Sequence, residues 1–112
     1  MQRDEVTLVD IAEAARLTLA FIQDATREAF MADLKTQSAV LHQITVMGEA
    51  VKRLSPEFRA RHPAIPWTAI AGMRDHLIHA YDTVDLDEVW DTATEDVPGL
   101  LAQLESLLPD EP

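Results

Sequence analysis

The chain is 112 residues long, 47% hydrophobic, without cysteine, and carries a formal charge of −11. Its length suits one domain with enough apolar content to fold without disulfide or metal staples. The missing cysteines exclude thiol catalysis and zinc–thiolate sites, and the net charge argues against a broad nucleic-acid-binding surface. Residues 1–12 hold Asp4, Glu5 and Asp10 and no apolar run, so no signal peptide is expected. No apolar run is long enough to span a bilayer, so no membrane span is expected, and a cytoplasmic location fits.

The negative charge is unevenly spread. Residues 52–79 hold five basic side chains, Lys52, Arg53, Arg59, Arg61 and Arg74, against only Glu57 and Asp75; the rest of the chain holds four basic and 18 acidic residues. This is either an ordinary solvated surface or a small basic patch able to hold a phosphodiester.

Taken in chain order, the apolar positions follow the helical period, and nothing alternates in the manner of a strand. Leu8, Ala12, Ala15, Leu19 and Ile22 mark a first helix over roughly residues 5–24. Leu34, Leu41, Ile44, Met47, Val51 and Leu54 mark a second over roughly 34–54. Gly48 inside it costs about 1 kcal/mol relative to Ala and predicts a close helix contact. Pro56, Pro63 and Pro66 interrupt the next stretch, where Ser55 can cap one short helical turn with Pro56 at its first position. A third helix is expected over roughly Trp67–Tyr81. Asp85, with Glu88 three residues on, predicts the start of a last helix that runs through Leu86, Val89, Trp90, Val97 and Leu104 and kinks near Pro98. Without repeats or linkers, residues 1–112 read as a single all-α domain, a four-to-five-helix bundle.

Chemistry concentrates in residues 73–81, Met-Arg-Asp-His-Leu-Ile-His-Ala-Tyr. On a continuous helix, Trp67, Ile70, Arg74, Leu77 and Tyr81 share a face, so an arginine stands where the pattern calls for an apolar residue. Such an arginine pairs with a carboxylate, lines a cleft or enters an interface. Asp75 is four residues before His79, close enough to support its imidazole. Arg74 and His79 are five apart, roughly 140° round a regular helix, so two copies related by a two-fold axis would bring them together more readily than one. An imidazole that moves protons and a guanidinium that clamps phosphate oxygens suit metal-independent RNA cleavage.

At these residues the chain matches a known pattern. Arg74-x4-His79-x-Tyr81 fits the R-x4-H-x-Y motif of HEPN-domain ribonuclease toxins, and the wider chain resembles the HepT family. The likeness takes in Lys35-Thr36-Gln37, Met47-Gly48-Glu49-Ala50, Phe58 through Pro66-Trp67, Val84-Asp85, Val89-Trp90 and Thr94-Glu95-Asp96-Val97-Pro98. It implies a HEPN-type helical homodimer with a composite active site, the endoribonuclease toxin of a type II toxin–antitoxin pair. Arg74 and His79 would be catalytic, Asp75 supporting, and no cofactor or metal would be needed. The implied partners are substrate RNA and an MntA-type minimal nucleotidyltransferase antitoxin, with which the dimer could assemble further. Adenylylation of Tyr81 would silence the toxin. Lys52, Arg53, Arg59, Arg61 and His76 are candidate RNA contacts.

Other readings carry less. His76 and Asp75 beside His79 could seed a metal site, but no convergent third or fourth ligand is evident. His42 and His62 read as surface residues, and Trp67 and Trp90 as core anchors. No Gly-rich phosphate loop occurs. The alternative function is a non-catalytic HEPN-like module that binds a nucleotidyltransferase partner or a nucleotide through the same residues.

Overall fold

A computed structural model of the chain describes residues 2–78 and 83–108. Among these the regular structure is helical, apart from one isolated antiparallel bridge between Ile78 and Val84. The expected all-α architecture is the one found.

Helix α1 (Gln2–Ile22) buries Leu8, Ile11, Ala12, Ala15 and Ile22. Its long neighbour is α3 (Leu34–Val51), which buries Val40, Ile44, Met47 and Val51. Leu34, expected in that stripe, is 75% exposed. Between them lies α2 (Arg27–Met31), a helix too short to leave a periodic signature. The Thr26 hydroxyl caps it by accepting from the Ala29 amide at 3.0 Å. Phe30 docks it against Trp90, ring centroids 5.3 Å apart, and Arg27 reaches Asp87 at 2.7 Å and Asp91 at 2.6 Å. Thr36 and Gln37 have structural duties at this corner. The Thr36 amide donates to the N-cap Asp33, and the Gln37 amide group donates to the carbonyls of Phe30 and Met31.

Short α4 (Pro56–Arg61) follows, capped by Ser55 with Pro56 in its first turn, as its sequence predicts. The third expected helix is two pieces, α5 (Trp67–Ala71) and α6 (Met73–Leu77), separated at Gly72. Helical backbone stops at Leu77, since Ile78 is extended with φ −116° and ψ 119°. The expectation of one helix as far as Tyr81 is thus corrected. The bridge of Ile78 to Val84, together with the Asp85 amide donating to the Leu77 carbonyl at 2.8 Å, draws the chain together on either side of residues 79–82.

The last helical stretch starts at the predicted N-cap, Asp85, whose carboxylate accepts from the Glu88 amide at 3.1 Å. It comprises α7 (Leu86–Asp91), a π-helical turn over Thr92–Asp96, and α8 (Val97–Glu105). Pro98 has no N–H to offer the carbonyl four residues back, and its ring crowds that carbonyl. The wider turn just before it absorbs the misfit, so Val89, Ala93, Val97, Leu100 and Leu104 all stay buried on one side.

Two apolar clusters result. One joins α1, α3, α4, α5 and α8; the other gathers Ile22, Phe30, Val40, Ile44, Leu77, Val89 and Ala93. No helix among the described residues is long and apolar enough to cross a membrane.

Gly48 does what its position in α3 predicts. A Cβ built there would stand 3.1 Å from the carbonyl oxygens of both Ile70 and Ala71, backbone atoms at the end of α5 that cannot swing aside. Helix propensity alone would make Gly48→Ala stabilising by about 1 kcal/mol, whereas overpacking costs about 1–3 kcal/mol. We expect Gly48→Ala to lower the thermal unfolding midpoint by a few degrees; a raised midpoint would show that α5 yields freely.

Candidate active site

Helix α6 carries Arg74, Asp75 and His76, all exposed. Arg74 is not the buried arginine that an unbroken helix implies. The interruption at Gly72 puts Ile70, Met73 and Leu77 on the inward stripe, and Arg74, one residue past Met73, turns outward. Its side chain is 47% exposed, and its guanidinium lies 3.9 Å from the Asp75 carboxylate. At that distance and exposure the pair contributes little to stability, and among the described residues the guanidinium makes no other ion pair.

His79 and Tyr81 lie outside the described residues. The four-residue spacing of Asp75 and His79, and the seven-residue spacing of Arg74 and Tyr81, placed each pair together only on a helix continuing past Ile78. Extended Ile78 removes that argument.

Beneath α6 lies the C-terminal half of α3. Glu49 follows Gly48 and accepts from Lys52 Nζ at 2.9 Å. That hydrogen bond, with the fields of Lys52, Arg53 and Arg74, holds the Glu49 carboxyl below its ordinary range. One carboxylate therefore feels cations from both α6 and the end of α3. Sequence reasoning passed over Glu49, although it stands within the family-like Met47–Ala50 stretch.

The other candidate RNA contacts divide. Lys52 and Arg53 are exposed. Arg61 stacks over Phe58, 5.7 Å from the ring centroid. Arg59 is half-buried, and its Nε has no hydrogen-bond partner among the described residues. Arg53 and Arg61 meet a third arginine, Arg3 of α1, around a cleft of about 580 Å³ also lined by Asp4, Ser55 and Glu57. Arg3 was not legible as a site residue, because 50 positions separate it from Arg53.

His42 is exposed as expected. His62 is half-buried, its ring 4.7 Å from Phe58, and its carbonyl accepts from Trp67 Nε1 at 3.0 Å, so it is part of the packing. Trp67 is buried, and Trp90 packs on Phe30. Among the described residues, no three His, Asp or Glu side chains stand together in a way that could hold a metal ion.

A helical bundle presenting an arginine at the head of an R-x4-H-x-Y segment defines a HEPN-type protein. The family described as Ribonuclease HepT-like matches residues 11–107, and the chain belongs to that family. It is 45% identical over 100 residues to a Thermococcus cleftensis protein named "Probable ribonuclease HepT", covering 89% of this chain and 91% of that one. A Methanocaldococcus jannaschii protein named as a "Putative RNase" is 37% identical over 92% of this chain and 85% of its own length. Another of that description, from Caldanaerobacter subterraneus subsp. tengcongensis, is 35% identical over 93% of both chains. No solved structure matches the chain.

The base of the arginine cleft yields a test. Asp4 is buried, and its carboxylate accepts from the Ser55 amide at 2.9 Å and the Ser55 hydroxyl at 2.7 Å, while Ser55 Oγ accepts from the Phe58 amide at 3.1 Å. The two Ser55 hydrogen bonds hold the Asp4 carboxyl below the ordinary aspartate range. A depressed folded-state pKa means that this stabilisation is complete above the unfolded value and disappears as pH falls through the folded one. Asp4→Asn should therefore lower the unfolding midpoint at pH 7, and the gap to wild type should narrow as pH drops below about 4. A gap independent of pH would show that the charge of Asp4 is not what ties α1 to α4.

Proposed function

We propose that this chain is a metal-independent endoribonuclease acting on cytoplasmic RNA, with Arg74 and His79 as its catalytic pair and Asp75 in support. The observation that carries the reading is the exposed Arg74 guanidinium heading the Arg74-x4-His79-x-Tyr81 segment in a Ribonuclease HepT-like chain. His79 takes the proton of a ribose 2′-hydroxyl, whose oxygen attacks the adjacent phosphorus. The bond from phosphorus to the 5′-oxygen breaks, that oxygen takes a proton from water, and a 2′,3′-cyclic phosphate remains. Arg74 holds the non-bridging oxygens as negative charge builds on them.

Two copies of the chain supply one site in this reading, Arg74 from one and His79 from the other. An outward-facing Arg74 is compatible with an interface in a way that one committed to an internal ion pair would not be. The chain serves as the toxin of a toxin–antitoxin pair, neutralised by a nucleotidyltransferase antitoxin. The enzyme transfers a nucleotidyl group from ATP to the Tyr81 phenolic oxygen, forming an O–P bond and releasing pyrophosphate. The new phosphodiester puts negative charge two residues from His79, where it repels the phosphates of RNA.

Arg74→Ala and His79→Ala should each lower cleavage about 10²–10³-fold, the loss expected for a transition-state charge partner, with unchanged circular dichroism and no effect of EDTA on the wild type. Mixing the two inactive variants under subunit exchange should restore about a quarter of wild-type activity, since half the dimers then carry one intact site. Activity within a few-fold of wild type in both single variants removes the pair from catalysis, and no recovery on mixing removes the shared site. Tyr81→Phe should still cleave RNA yet resist antitoxin and ATP; neutralisation of that variant at the wild-type rate would rule out Tyr81 as the switch.

A further inference from the structure

The chain has more than twice as many acidic as basic residues, yet Arg3, Arg53 and Arg61 meet at one cleft, and none of the three takes part in an ion pair among the described residues. Arg3 comes from the first turn of α1, Arg53 from the turn after α3 and Arg61 from the end of α4. Two acids share the lining. Both oxygens of Asp4 are occupied by Ser55, which leaves Glu57 as the acid without a hydrogen bond among the described residues. The start of the long helix α1 adds the positive end of its dipole. At about 580 Å³ the cleft has room for a sugar–phosphate unit.

We propose that the Arg3–Arg53–Arg61 cleft is an RNA-backbone anchor that holds a phosphodiester of the substrate strand away from the bond to be cut. Guanidinium groups suit this task, because each offers a fork of donors to phosphate oxygens and sheds its water more readily than an ammonium group. Continuity with the Arg74 segment favours RNA over an acidic protein. Glu49 feels Lys52, Arg53 and Arg74 together, so cations run from α6 across the end of α3 to the cleft. A strand lying along that line would exchange phosphate charge for the counterions of each arginine it meets. This inference deepens the ribonuclease reading and rests on it.

The test uses the full chain and two RNA probes. The first is a 2′-O-methyl oligoribonucleotide of about twenty nucleotides, which binds but lacks the attacking hydroxyl, titrated at several salt concentrations. The second is a cleavable dinucleotide, too short to span the scissile bond and the cleft together. The variants are Arg3→Ala/Arg53→Ala and the charge-conserving Arg3→Lys/Arg53→Lys; Arg61 is left in place because it packs on Phe58. Loss of two phosphate contacts should weaken binding of the long probe at least tenfold and flatten the slope of log affinity against log salt by about 1.4. The ratio of kcat/KM on a long RNA to that on the dinucleotide should fall by a similar factor through KM, and the lysine variant should recover most of the loss. Unchanged affinity and salt slope in the alanine variant would overturn the anchor. Failure of the wild type to cleave a long RNA would instead count against the ribonuclease reading.

Discussion

The approach of α3 to the end of α5 at Gly48 is the constraint on which the site depends. The two backbones meet without a side chain between them, 3.1 Å from where a Cβ would be to two carbonyl oxygens. Any larger residue would lift α5, and with it α6, away from α3. Because Glu49 follows Gly48 directly, the same contact sets the carboxylate of α3 among the cations of α6 and of its own C-terminal turn. A glycine that weakens its helix thus positions the charged groups around Arg74.

Some arginines are committed to ion pairs between helices, and others gather in one region without such a partner among the described residues. Arg27 is held by two aspartates of α7 and Arg16 by Glu105 of α8, so these arginines fasten elements together. Asp4 is spent on Ser55. Arg3, Arg53 and Arg61, without an ion pair among the described residues, share one cleft on a chain that is strongly acidic. In the anchor proposed above, such a body would repel a polyanion elsewhere, so the negative charge itself would help to direct where a strand lies.

Where the local signal was strong, sequence reading and structure agree. The caps at Ser55 and Asp85, the buried stripes of α1 and α3, and the tight contact at Gly48 were all legible, because each follows from backbone chemistry within a few residues. The α6 region was misread for an equally physical reason. Periodicity does not register an interruption at Gly72 that leaves apolar residues near their expected spacing. Nor does it reveal that Ile78 gives up helical geometry to bridge Val84. The turn at Gly72, with Met73 in the inward position, left exposed an arginine that the pattern had placed on the apolar face.

Composition, helical periodicity and capping residues by themselves determined that this is an all-helical chain, and the order of Arg74, His79 and Tyr81 marked its family. These are properties of short stretches, set by 3.6-residue spacing and by which side chains can satisfy a helix end. Tertiary structure alone decided which face of α6 is buried, how the strain of Pro98 is taken up by the Thr92–Asp96 turn, and that Arg3 meets Arg53 and Arg61. Each depends on packing between elements far apart in the chain, where no local pattern records which side chains will share a cleft.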